Sequence, residues 1–253
     1  MCSSLHASSC ERSPRACLLW CAAVSTVDRT PLELPPSAPV SAPADFASRL
    51  VAIGVHVGAP AIARLGDYLG RLLAMNQQMN LTAIKDADSA WERLVLDSLT
   101  LLPLLAGVAA GARVVDIGSG GGLPGIPLAI MRPDLFVTLV EATQKKAAFL
   151  IAVSQALELN NVTVLAERAE TLARSELRGT FDVVTARAVA RLKQLIPWVV
   201  PFARPAGLVL LVKGQKAEDE LAEARAVLSK ENARHESTTS TPTGRIVALR
   251  KNS

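Results

Sequence analysis

From residue 45 onward the apolar positions recur at helical spacing. Ile62, Leu65, Leu69, Leu72 and Leu73 fall on one face of a stretch that Pro60 can open and that runs to about Gln78. Asp45 can cap an earlier helix reaching about Val57, with His56 near its end. After a break at Asn80–Ala83, Ser89 is placed to cap a third helix. There Trp91, Leu94, Val95, Ser98, Leu101 and Leu102 share a face until Pro103, Gly107 and Gly111 end it. The rhythm then changes to short apolar runs separated by helical stretches. Strands are expected at Arg113–Ile117, Phe136–Glu141, Val162–Leu165, Phe181–Thr185 and Leu208–Val212. Helices are expected at Ile126–Met131, Thr143–Leu159, Leu192–Phe202 and Lys216–Asn232. Runs at Glu236–Ser240 and Arg245–Leu249 suggest a terminal β-hairpin. Strands alternating with helices imply a doubly wound α/β fold, a parallel sheet covered on both faces, here behind a helical cap.

The first 44 residues read differently. They hold all four cysteines (Cys2, Cys10, Cys17, Cys21) and six of the fifteen prolines. Zinc is not expected, because the cysteines form no paired Cys-x-x-Cys knuckles and His6 is the only histidine near them. Arg12 and Arg15 precede the apolar run Ala16–Val24, but no small-x-small cleavage site follows, so a signal peptide is not expected. The expected organisation is a disordered or non-native extension over 1–44, a helical cap over 45–112 and a ligand-binding domain over 113–253.

Composition narrows the class. Half of the 253 residues are apolar and a fifth are charged, a globular balance. The longest stretches free of charge, Ser98–Ala112 and Ile117–Met131, are 15 residues each, short of the ~20 that a spanning helix needs. No membrane association is expected. Residues 171–253 carry fourteen Lys/Arg against eight Asp/Glu, whereas 45–170 carry ten against twelve. A basic C-terminal third on a near-neutral body suits contact with nucleic acid. Nine aromatics in the whole chain argue against base-stacking platforms as the means of that contact.

The first expected strand runs into Gly118-Ser119-Gly120-Gly121-Gly122-Leu123-Pro124-Gly125. Glycines between a strand and a helix let a ligand approach the backbone closely. A dinucleotide fingerprint would need Gly or Ala at position 123, where Leu stands. Gly118, Gly120 and Gly122 give instead the Gly-x-Gly-x-Gly spacing of S-adenosylmethionine (SAM) enzymes. Glu141, at the end of the second strand, can accept hydrogen bonds from both ribose hydroxyls. Asp116, Glu167 and Glu170 lie at or just after other strand ends, where ligands of such sheets bind.

Asp116–Ile130 (DIGSGGGLPGIPLAI), Asn76–Ile84 (NQQMNLTAI), Asp97–Leu99 (DSL), Arg187–Ala190 (RAVA) and Lys213-Gly214 together closely resemble the RsmG (GidB) family, the bacterial 16S rRNA guanine-N7 methyltransferases. The resemblance spans nearly all of 45–253 and none of 1–44. It implies a class I SAM-dependent methyltransferase fold: a Rossmann-like, mostly parallel sheet ending in an antiparallel hairpin. It further implies SAM as cofactor and methylation of a guanine N7 in the 530 loop, position 527 in the usual rRNA numbering. The substrate would be the small ribosomal subunit or its assembly intermediate. The family's cofactor positions match Gly118, Leu123, Ala169, Glu170 and Arg187. One departure is Leu94, where members usually carry His.

Guanine N7 has an available lone pair, so its methylation requires no general base. His6, His56 and His235 form no triad with an acid and a nucleophile. Catalysis by positioning is expected, with Arg187 holding a phosphate, a guanine O6 or a cofactor carboxylate. Arg191, Lys193 and Lys213 are candidate RNA-phosphate contacts. A cytoplasmic monomer without metal is expected. The alternatives are a SAM methyltransferase acting on another RNA or a small molecule and, further off, an NAD(P)-dependent oxidoreductase.

Overall fold

The computed structural model describes residues 32–187 and 189–253. The cysteines, His6, the apolar run Ala16–Val24 and Ala188 lie outside the described residues. The chain folds as α1 (Phe46–Ala52), α2 (Ala59–Asn76) and α3 (Ala87–Ala90), which runs through a π-helical turn (Trp91–Leu96) into α4 (Asp97–Leu99). A 3-10 turn at Leu102–Leu105 follows. Then come β1 (Arg113–Ile117), α5 (Gly125–Met131), β2 (Phe136–Val140), α6 (Gln144–Ala156), β3 (Val162–Leu165), α7 (Ala169–Leu172) and β4 (Phe181–Arg187). The chain ends with α8 (Leu192–Val199), β5 (Ala203–Lys213), α9 (Ala217–Glu223), α10 (Arg225–Lys230), β6 (Ala233–Ser240) and β7 (Arg245–Lys251).

Seven strands form one sheet in the order β3-β2-β1-β4-β5-β7-β6. β1 to β5 pair in parallel, and β7 inserts antiparallel between β5 and β6. This is the class I methyltransferase arrangement. The winding reverses between β1 and β4, which puts the ligand crevice outside the carboxyl ends of those strands. Alternating side chains along each strand feed two apolar layers. On one face Val114, Val137, Leu139 and Val183 pack with the cap residues Leu65, Leu69, Leu72 and Trp91. On the other, Val115, Val184, Val209 and Leu211 pack with Leu192, Leu195, Ile196 and Leu228.

Several elements depart from the sequence expectation for local reasons. α1 stops at Ala52 rather than near Val57. Gly54 adopts a left-handed φ of +76°, and the N–H groups of Gly54 and Val55 donate to Val51 and Leu50, closing a Schellman turn. His56 consequently lies beyond that helix. The cap of α3 is Asp86, whose carboxylate accepts the Ser89 N–H at 2.8 Å, so Ser89 sits inside the first turn. β5 begins five residues early because Ala203 pairs with Phe181 and a register shift absorbs the extra residues, with Ala206 at φ +59°. The expected helix Lys216–Asn232 divides at Ala224, which is fully buried against the second apolar layer.

The largest correction concerns the chain before residue 45. Residues 32–44 are packed onto the cap instead of lying outside the fold. Gly66 and Gly70, one helical turn apart on α2, form a groove for this backbone. Val40 N–H donates to Gly66 O at 3.0 Å, and a Cβ at Gly70 would strike Ala38 O. Leu32, Leu34, Val40 and Ala42 join the adjoining apolar layer. A Pro-rich strap needs no strand partner to do this, so nothing in its composition separates it from linker.

Candidate functional site: the glycine loop and its surrounding strand ends

Residues 118–124 bend sharply at the end of β1. Gly118, Gly120 and Gly122 hold φ values of +71°, +57° and +100°, a region that side chains with a Cβ adopt only under strain. A Cβ at Gly118 would come within 2.9 Å of Val189 Cγ2, and one at Gly122 within 2.6 Å of Ile126 Cγ1. A side chain at either position would collide with a neighbour, so the loop keeps a bare backbone.

Three groups fix that shape. Glu141, at the end of β2, accepts Gly120 N–H at 2.9 Å on one oxygen and Thr143 N–H at 2.8 Å on the other. Tyr68, from α2 in the cap, donates its hydroxyl to Gly121 O at 2.8 Å from a fully buried position, where desolvation pushes its ionisation far above the ordinary phenol range. Asp116 accepts Thr185 Oγ1 at 2.9 Å and, at 3.3 Å, Gly125 N–H. Burial raises the Asp116 carboxyl to about 6, against the opposing hydrogen bonds and nearby Arg187. Asp116 is therefore sealed behind the loop. The sequence placed it as a cofactor contact, whereas in the fold it holds the start of α5.

Arg187 ends β4, across the switch point from the glycine loop, and its side chain is 19% exposed. Its Nη1 donates to Arg93 O at 2.8 Å and lies 3.5 Å from Asp97 Oδ2. Among the described residues, its Nε and Nη2 have no protein partner. Ala169 and Glu170 form the first turn of α7 beyond β3, with Glu170 exposed, and Glu167 is also exposed. Leu123 is buried, its side chain within the layer shared with the cap. Leu94 is buried in the same layer, which accounts for an apolar residue there.

The candidate RNA contacts divide. Arg191 is 62% exposed, with a loose 3.5 Å pairing to Glu223, and Lys193 is exposed. Lys213 is only 8% exposed. Its ammonium lies 2.9 Å from Glu220 Oε2 and donates to Ala190 O at 2.6 Å, while the same Glu220 oxygen accepts Leu192 N–H. Lys213 braces the β4–α8 loop from inside and cannot grip RNA without breaking that network. Sequence reasoning also missed Tyr68, Thr185 and Thr243, and gave Asp97 a motif but no role. A single Tyr in an aromatic-poor chain was a signal left unused.

The arrangement suits SAM. Bare backbone at Gly118 and Gly120 allows close approach to the methionine and ribose portions. The Glu141 carboxylate, with lone pairs beyond those its two N–H partners use, fits a ribose diol. Arg187 adds a cation at the mouth. Leu123 in the core leaves no small residue where a dinucleotide fingerprint needs one. Among the described residues, no group of three or more His, Cys, Asp or Glu could hold a metal ion, and no helix is long and apolar enough to cross a membrane.

Comparison with known proteins agrees. Residues 61–247 match the GidB family, described as rRNA small subunit methyltransferase G. A relative in Sorangium cellulosum (strain So ce56), named Ribosomal RNA small subunit methyltransferase G, is 65% identical over 224 residues, covering 88% of this chain and 94% of its own. One of the same name in Roseiflexus sp. (strain RS-1) is 44% identical over 178 residues, covering 70% and 75%. A solved SAM-dependent methyltransferase from Aquifex aeolicus superposes with a TM-score of 0.51 at 18% identity, covering 64% of this chain and 93% of that one, a likeness of fold. With a glycine loop shaped for SAM, a class I sheet and these relatives, the chain belongs to the ribosomal RNA small subunit methyltransferase G family of SAM-dependent methyltransferases.

Proposed function

We propose that the protein methylates N7 of a guanine in the 530 loop of 16S rRNA, position 527 in the usual numbering. It would act in the cytoplasm as a monomer, on the small subunit or an assembly intermediate. The observation that carries this reading is the state of the three acids that touch the glycine loop, the start of α5 and Arg187. Asp116 is committed to Thr185 and Gly125, Glu141 to Gly120 and Thr143, and Asp97 to Arg187 and Thr243. Three acids that could have served as a base are thereby tied to the protein. A nucleophile whose lone pair needs no deprotonation fits such a site, and guanine N7 is one.

Bound SAM supplies a methyl group activated by its sulfonium. The backbone of Gly118, Gly120 and Gly122 would hold the methionine and ribose portions, Glu141 the ribose hydroxyls, and Ala169 with Glu170 the adenine edge. Arg187, through its Nε and Nη2, which have no partner among the described residues, would orient a cofactor carboxylate or the guanine O6. The chain's task is alignment and exclusion of water, with no proton to move. In A-form RNA the groove exposing N7 is deep and narrow, so the target base must be in a loop or splayed from its stack. Arg191 and Lys193 at the rim would engage the adjoining phosphates. The residue 45–112 cap is proposed to support the SAM-binding domain, through Tyr68, rather than to bind the cofactor.

The test is methyl transfer from labelled SAM to small subunits isolated from cells lacking this protein, with the label mapped. Label on one guanine N7 in the 530 loop is the expected result. SAM binding with incorporation elsewhere, or none, would overturn the substrate while leaving the cofactor site standing.

A further inference from the structure

The turn joining β6 to β7 reads Thr241-Pro242-Thr243-Gly244 and belongs to no motif that the function used. It is nevertheless held rigidly. Thr241 N–H donates to Gly244 O at 3.0 Å, and Gly244 N–H donates to Thr241 Oγ1 at 3.0 Å. A Cβ at Gly244 would strike Lys213 O, so only glycine lets the turn sit on the end of β5. Seated there, Thr243 donates its hydroxyl to Asp97 Oδ1, across from the cap. Asp97 is 7% exposed, and its other oxygen faces Arg187 Nη1 at 3.5 Å. The Arg187 guanidinium therefore has a fixed inner edge, on Asp97 and Arg93 O, and an outer edge free of protein partners among the described residues.

We infer that Thr243 is a positioning residue for the reaction: its hydroxyl orients the Asp97 carboxylate, which in turn fixes the plane of the Arg187 guanidinium so that its outer Nε/Nη2 edge faces the crevice. A planar five-donor group is useful to a ligand only in one orientation. A carboxylate held by one partner alone rotates about its last torsion. Three separate elements (cap, β4 end and hairpin turn) thereby meet at one guanidinium, and the C-terminal hairpin gains a role beyond extending the sheet. This rests on the reading of Arg187 as a site residue.

Thr243→Val keeps the shape and removes the hydroxyl, and Thr243→Ser restores it. In the full-length protein, titration calorimetry with SAM is expected to show about a tenfold loss for Thr243→Val and near-complete recovery for Thr243→Ser. The double variant Thr243→Val/Arg187→Lys should bind no more weakly than Arg187→Lys alone, because both changes act through one group. NMR of the free protein supplies a readout that needs neither SAM nor RNA. Rotation of the Arg187 guanidinium about its Nε–Cζ bond should quicken in Thr243→Val and slow again in Thr243→Ser. Should Thr243→Val fail to fold, judged by its thermal midpoint, Thr243→Ala carries the same test. Unchanged guanidinium rotation, or losses of affinity that add fully in the double variant, would overturn the inference. Altered rotation with unaltered SAM affinity would confine Arg187 to the RNA side and overturn its reading as a cofactor contact, while leaving the Thr243 relay in place.

Discussion

The two edges of the sheet use the same charged residue types to opposite ends. At the amino ends of the parallel strands, three arginines pair with acids of the protein itself. Arg204 lies 2.7 Å from Asp182, whose other oxygen accepts Arg113 N–H, and Arg113 stacks on the Phe181 ring. Arg132 pairs with Asp134 at 2.7 Å and Arg250 with Glu236 at 2.7 Å. At the carboxyl ends the acids point inward to backbone N–H groups of the loops, Glu141 to Gly120 and Glu220 to Leu192. Lys145, Arg168, Lys193 and Lys216 are exposed there and form no ion pair among the described residues. The carboxyl edge shapes loops with its acids and, in the proposed reading, offers these four cations to a polyanion, which makes the amino edge the scaffold end and the carboxyl edge the working end.

The largest effect is expected at the glycine loop. Gly118→Val places a branched side chain at a left-handed φ beside Val189 and should abolish SAM binding in titration calorimetry, with the thermal midpoint reporting the fold. Retained affinity would remove the loop from the site. Lys213→Met comes next. Because Lys213 is braced against Glu220 and Ala190, the loss should be of stability, about 3–4 kcal/mol by denaturant titration, with no change in the salt dependence of RNA binding.

Asp116 provides a pH test. Its folded pKa of about 6 lies above the unfolded value near 3.8, so the protonated form is favoured by folding. That stabilisation is complete below the unfolded pKa and is lost as pH rises through 6. Relative to Asp116→Asn, the wild type should therefore lose about 3 kcal/mol of stability between roughly pH 4 and 6, read from paired denaturant titrations. The smallest effects compare the edges directly. Lys193→Ala should lower the slope of log affinity for rRNA against log salt by about one. Arg204→Ala, half exposed at the opposite edge, should leave that slope unchanged and cost less than about 1 kcal/mol of stability.

Much of the working end was legible in the sequence because its signals are local. β1 and β3 have the boundaries their apolar runs indicate, and the glycine spacing marks a turn whose φ values no other residue tolerates well. What escaped depends on partners far along the chain. Asp116 and Thr185 are 69 residues apart, and Thr243 and Asp97 are 146 apart. Lys213 follows a strand as a solvated lysine would; only α9, folding back with Glu220, makes it internal. The strap over α2 escaped because its seat is an absence of side chains at Gly66 and Gly70 rather than a pattern of its own. Register and capping errors, as at Asp86 and Ala224, moved element ends without moving the site.

Gathering of ligands at the carboxyl edge can be read by hydrogen–deuterium exchange of the full chain with and without SAM and small-subunit rRNA. SAM-dependent protection is expected at residues 118–124 and 141–144, further protection at 187–193 on adding RNA, and no change at 132–136 or 204–207. Protection centred on the amino edge, or none at the glycine loop with SAM in excess, would contradict it.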